Sequence, residues 1–111
     1  MDYKALISSP MIPSYNISIT VKFFTELLCF SVLLEHENYV ILYKDRAMIH
    51  LLRAGNDIGE MEFYLEIDNI DNFWGNIKDR LDGIKAKPPF DQEYGMRELH
   101  IILFQRSLHY L

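Results

Sequence analysis

Two apolar stripes of helical period, each followed by short β-prone runs, constrain this chain more than anything else in it. After Asn16, the residues Ile17, Val21, Phe24, Leu27 and Leu28 recur at the spacing that puts them on one helix face, which predicts a helix over 17–28. Asn16 is suited to cap it, with Ser18 as the alternative. About 53 residues on, Asp68 or Asn69 precedes a second stripe, Ile70, Phe73, Trp74, Ile77 and Leu81, with Gly83 as its C-cap. Phe73 and Trp74 fit this stripe and read as core.

Between the stripes lie three runs rich in β-branched and aromatic residues: Phe30–Glu35, Tyr39–Tyr43 and Ala47–Leu52. Glu37-Asn38 and Asp45-Arg46 separate them as tight turns, so the three form an antiparallel meander. A mildly apolar segment, Lys4 to Ile12, reads as a strand ahead of the first helix. The pattern then restarts. Met61–Ile67 alternates, with Met61, Phe63, Leu65 and Ile67 on one side and Glu60, Glu62, Tyr64 and Glu66 on the other. After the second helix come a short strand Ile84–Lys87, a stiff loop Pro88–Gln92, a strand Arg97–Leu103 and a stub Leu108–Leu111. In the turn EYGMREL, Gly95 allows a backbone conformation that a Cβ disfavours. Arg97 and Glu98 point to opposite faces of the strand it opens, and Glu98 shares its face with His100 and Ile102. The fold class is therefore α+β, with the order β-α-β-β-β occurring twice: one domain over 1–111, in modules of about 3–53 and 60–111.

Composition narrows the functions. A chain of 111 residues, half of them apolar, suits one globular core. The formal charge is −5 and the eleven basic residues are scattered, so no stripe exists to follow a phosphate backbone, and nucleic acid is not an expected partner. The single cysteine, Cys29, excludes an intrachain disulfide and reads as a packed small hydrophobe. MDYKALISSP has no apolar signal region, and no run approaches the roughly 20 apolar residues of a membrane span. The expected setting is the cytoplasm, without membrane partners. There is no GxSxG, no glycine-rich phosphate loop and no CxxC.

The doubled element order, the helix end KFFTELLCF, the junction LEIDNIDNFW and the turn YGMREL together resemble the glyoxalase/bleomycin-resistance group of the vicinal-oxygen-chelate superfamily. Phe23-Phe24 stand where that group has Phe-Tyr, and Leu28-Cys29-Phe30 where it has Leu-Gly-Phe. The resemblance spans about residues 5–103. It implies two βαβββ modules whose curled mixed sheets surround a cavity, helices outside, and a homodimer binding or transforming small molecules.

The resemblance also implies four metal-ligand positions. They fall at or near Ser9, at His50, at Glu62 and near Tyr110. Only His50 and Glu62 are suitable ligand types, and two are too few to hold an ion, so no metal, cofactor or catalytic residue is expected. The two are the weak metal candidates; a hydrogen-bonded or acid/base pair of them is the other reading. The function expected first is metal-free sequestration of a drug or metabolite in a cleft, as in bleomycin resistance. An acidic, aromatic-lined cleft favours a cationic or amphipathic ligand, bound by Met48, His50, Glu62, Tyr64, Glu66, Phe90 and Tyr94. The last two come from the implied position of the Pro88-Pro89 loop and the Gly95 turn at the cavity mouth. The alternatives are a metal-dependent lyase, isomerase or dioxygenase of the same superfamily, and a remnant whose cavity binds nothing.

Overall fold

A computed structural model describes residues 1–55 and 62–102. They divide into two compact units, Met1–Phe63 and Tyr64–Leu111.

The first unit is a four-stranded sheet with a helix on one face. Its elements are β1 (Met11–Ser14), α1 (Ile17–Lys22), β2 (Ser31–His36), β3 (Tyr39–Lys44) and β4 (Ala47–Arg53). The sheet order is β1-β4-β3-β2. β1 runs parallel to β4, and the other pairs are antiparallel, so the sheet is mixed. The first helix begins where the stripe placed it: the Ile19 N–H donates to the Asn16 side chain at 3.2 Å. Its second half, Phe23–Leu27, opens into a π-helical segment in which the Leu28 N–H reaches back to the Phe23 carbonyl. A closed polar ring seals the helix N-terminus. The buried Ser14 and Thr20 hydroxyls bond at 2.7 Å, Thr20 donates to the Asn16 carbonyl, and the Asn16 N–H donates to Ser14.

Strand alternation sorts the sheet's residues by face. Val40, Leu42, Ile49 and Leu51 point toward α1 and are buried with Ile12, Ile17, Phe23, Phe24, Leu27 and Phe30. Phe24 is completely buried, with edge-on rings of Phe23 and Phe30 at 5.2 and 5.4 Å.

The second unit consists of α2 (Ile70–Ile77), a 3₁₀ turn Lys78–Arg80, and a two-stranded antiparallel sheet of β5 (Lys85–Asp91) and β6 (Arg97–Ile102). Ile77 is buried, and the Arg97 guanidinium grips both carboxylate oxygens of Asp71 on α2 while reaching Asp91 at the end of β5.

Four expectations need correcting. The first strand starts at Met11, not Lys4, and continues through Pro13. A proline lacks the N–H a central strand must donate, so it is tolerated here because β1 is an edge strand. Glu62–Ile67 forms no strand, because an alternating pattern supplies two faces but no ladder partner; Glu60 and Met61 lie outside the described residues. Pro88-Pro89-Phe90 is not loop but part of β5. The ladder register slips between Lys87 and Phe90, so the prolines sit where no ladder N–H is required. Finally, Cys29 is exposed rather than packed, in a left-handed conformation with φ of 62°. Asp82 (φ 45°) shares the left-handed turn with Gly83 (φ 90°) after the second helix. Leu103, Tyr110 and the stub Leu108–Leu111 lie outside the described residues.

Candidate functional site

The face of the first sheet turned away from α1 is only partly buried. Cross-strand register places Met11 beside His50, Ile41 beside His50, Tyr43 beside Met48 and Tyr39 beside Leu52. Met48 and His50 thus share this face, as their alternation along β4 requires. His50 Nδ1 is hydrogen-bonded to the Tyr39 hydroxyl, with the two rings edge-on at 5.7 Å. At one end of the face an open groove of about 550 Å³ is lined by Leu6, Ile7, Leu33, Tyr43, Ala47 and Met48, with Asp45 and Arg46 at its rim. No hydrogen bond joins Glu62 to His50; Glu62 is exposed, and so is Glu66. Among the described residues, no three His, Cys, Asp or Glu side chains are grouped to hold a metal ion. Ser9 precedes β1 and is part-exposed.

In the second unit the residue that organises the chemistry is Glu98. It is 9 % exposed, yet it is a carboxylate. Three donors surround it: the Tyr94 hydroxyl on one oxygen, and Gln92 Nε2 at 2.9 Å and His100 Nε2 at 3.2 Å on the other. Those bonds, Tyr94 first and Gln92 next, outweigh the cost of desolvation and pull the carboxyl down to about 2. The same bond holds the Tyr94 phenol up at about 12. Loss of hydration and then the charge of Glu98 raise the Tyr64 phenol as well. Both residues are nevertheless exposed, Tyr64 by 63 % and Tyr94 by 66 %.

The turn that carries Tyr94 is fixed by its own backbone. Gln92 N–H donates to the Met96 carbonyl at 2.7 Å, Gly95 N–H donates to the Gln92 carbonyl at 3.0 Å, and Gly95 has φ of 88°. Phe90 is already engaged within the chain. The Lys87 ammonium stands 3.9 Å from its ring centroid, and His100 packs edge-on at 5.0 Å. The alternation of β6 showed Glu98, His100 and Ile102 on one face, but their sequence positions gave no sign that Gln92 and Tyr94 fold back to bond the carboxylate.

Similar architecture occurs in solved structures. A bleomycin-binding protein from Streptomyces verticillus, solved with copper(II)-bleomycin, superposes with a TM-score of 0.76 at 15 % identity, over 90 % of this chain and 88 % of that one. The chain has the glyoxalase/bleomycin-resistance fold. An integron cassette protein from the mobile metagenome of a Halifax Harbour sewage outfall gives a TM-score of 0.75 at 18 % identity, over 89 % of each chain. A lactoylglutathione lyase from Agrobacterium tumefaciens gives 0.66 at 15 % identity, over 90 % of this chain and 88 % of that one. Neither a sequence-family model nor a curated protein sequence matches. No helix among the described residues is long and apolar enough to cross a membrane.

Proposed function

We propose that the protein binds a small organic molecule, cationic or amphipathic, and acts by sequestration without a metal or other cofactor, as a cytoplasmic homodimer. One observation carries this reading. The first sheet is sealed by α1 on one face, while its other face presents half-exposed methionine, leucine and tyrosine around the hydrogen-bonded pair Tyr39 and His50. A mostly apolar surface with few, fixed polar groups is the usual composition of a small-molecule site. Met48 and His50 are the contacts assigned there, and Tyr64 and Tyr94 those of the second unit. Glu62 and Glu66 add to the acidic field of a chain with net charge −5, which attracts cations. Half-buried Phe90 is a further contact of the second unit. The fold shared with a protein solved bound to copper(II)-bleomycin supports this reading, and drug resistance is its biological form.

The test is a thermal-shift screen with bleomycin and other cationic amphiphiles. A ligand at about 100-fold excess over Kd stabilises by about 2.7 kcal/mol. Absence of a shift with every compound refutes binding. Sedimentation at micromolar concentration tests the dimer, and a monomer there refutes it. The second reading, a metal-dependent enzyme, is favoured by the fold shared with lactoylglutathione lyase. Stoichiometric Ni, Zn, Mn or Fe in the purified protein, lost on substitution of His50, would decide for it.

A further inference from the structure

The open end of the β5–β6 hairpin, away from the Gly95 turn, gathers positive charge in an acidic chain. The sequence has sixteen acidic residues against eleven basic ones. Alternation nevertheless puts Lys85 and Lys87 on one face of β5, and the register sets Ile102 beside Lys85 and His100 beside Lys87. A carboxylate across the ladder is the stabilising neighbour for a lysine, and neither lysine has one. Among the described residues, neither forms an ion pair. Glu98, further along the same face, is buried and accepts from Tyr94, Gln92 and His100 instead.

Other contacts hold this patch in place. The Lys87 ammonium stands 3.9 Å from the Phe90 ring centroid. His100 packs edge-on to the same ring at 5.0 Å and donates from Nε2 to Glu98 at 3.2 Å. Residues two apart on a strand face are about 7 Å apart, so the two ammoniums repel, and an anion between them relieves that repulsion. An open cavity of about 420 Å³ lies here, lined by Lys85, Ala86, Lys87, His100 and Ile102. Ile102, 47 % exposed, gives it apolar surface. So few cations at one end of a hairpin cannot follow a polymer backbone, and the cavity suits a single small molecule.

We infer that the open end of this hairpin is a binding site for a small organic anion: the ammoniums of Lys85 and Lys87 bracket a carboxylate, and Ile102 with Ala86 takes the apolar body attached to it. None of these four residues is a contact of the binding reading above, and their charge selects the opposite kind of ligand.

The experiment is an NMR titration of the full chain with 2-naphthoate and with 2-naphthamide, its neutral counterpart of the same shape. The wild type is expected to bind naphthoate about fivefold more tightly than naphthamide, with the largest amide shifts at Lys85, Lys87 and Ile102. Lys85→Gln with Lys87→Gln should remove that preference. Lys4→Gln with Lys22→Gln changes the net charge equally and should keep it. Lys85→Gln alone leaves the contact of Lys87 with Phe90 intact and should lower the preference about twofold. Inorganic phosphate has the charge without the apolar body, and should displace naphthoate only at about tenfold higher concentration or more. Circular dichroism confirms that each variant is folded. The anion site is overturned by equal affinity for naphthoate and naphthamide, by a preference that survives loss of both hairpin lysines, or by one lost equally in the Lys4 and Lys22 control. Phosphate binding as tightly as naphthoate overturns it as well. No naphthoate binding at all overturns this site whatever the screen with cationic amphiphiles shows, so the two readings fail separately.

Discussion

The two units of the chain are stabilised differently. In the first, the interior is aromatic and aliphatic: all the buried hydrophobic side chains among the described residues except Ile77 belong to it. Its buried polar residues, Ser14 and Thr20, close a sealed ring with Asn16 at a helix N-terminus. In the second, a short helix and a two-stranded sheet bury little, and order comes from directed contacts: Arg97 across Asp71 and Asp91, and Glu98 among Tyr94, Gln92 and His100. Burial is non-directional and tolerates neighbours of similar shape, whereas hydrogen bonds to a carboxylate fix individual side chains in position. The first unit is thus the stable body, and the second holds particular rings in place.

Substitutions that act on burial alone should separate the two. Phe24→Ala is expected to have the largest effect, costing about 3–5 kcal/mol in denaturant unfolding, because it removes a completely buried ring from a packed cluster. A loss below about 1 kcal/mol would show that the aromatic cluster is not the body of the first unit. Gly95→Ala tests the second unit. No atom blocks a Cβ there, but the φ of 88° strains any L side chain, so a loss of about 1–2 kcal/mol is expected. Cys29→Gly should act in the opposite direction. The relief of left-handed strain exceeds the extra entropy of an unfolded glycine, for a net gain of about 0.5–1 kcal/mol in the same assay.

The acid limb of stability sharpens the comparison further. Glu98 has its carboxyl lowered from 4.5 to about 2 in the folded chain, so the stability it contributes is complete above about 4.5 and lost as pH falls through about 2. Tyr94, raised from 10.0 to about 12, contributes stability that is complete below about 10 and lost as pH rises through about 12. Chemical unfolding followed across both windows should therefore show Glu98→Gln flatter than the wild type at each end, while Phe24→Ala shifts the whole curve without changing its slopes. Parallel wild-type and Glu98→Gln curves would remove the carboxylate from its place in the second unit.

Legibility differed along the same line. The helix at Ile17, its Asn16 cap, and the meander of β2, β3 and β4 follow from periodicity and turn residues, because each is a local choice between helix and strand. The Met48–His50 face followed too, since alternation along a strand fixes sidedness. The pattern over 61–67 misled because alternation says nothing about whether a partner strand is present. Pro88-Pro89 misled because a register slip in a two-stranded sheet can hold prolines that a regular ladder rejects. The pattern places Glu62 on a strand the described residues do not form, and it marks Glu98, which organises the second unit, only as one member of a strand face.

By itself the sequence determined the α+β class, the two helix starts, the three-stranded meander and the acidic balance, because these depend on composition and on residues a few positions apart. Only the tertiary structure decided which carboxylate would be buried. Two donors to Glu98, Gln92 and Tyr94, come from the turn and the third, His100, from its own strand, and a buried charge is stable only where such donors converge. The turn EYGMREL shows the division. Its glycine is legible as a bend, but the tether that makes Tyr94 a fixed ring exists only once the hairpin has closed.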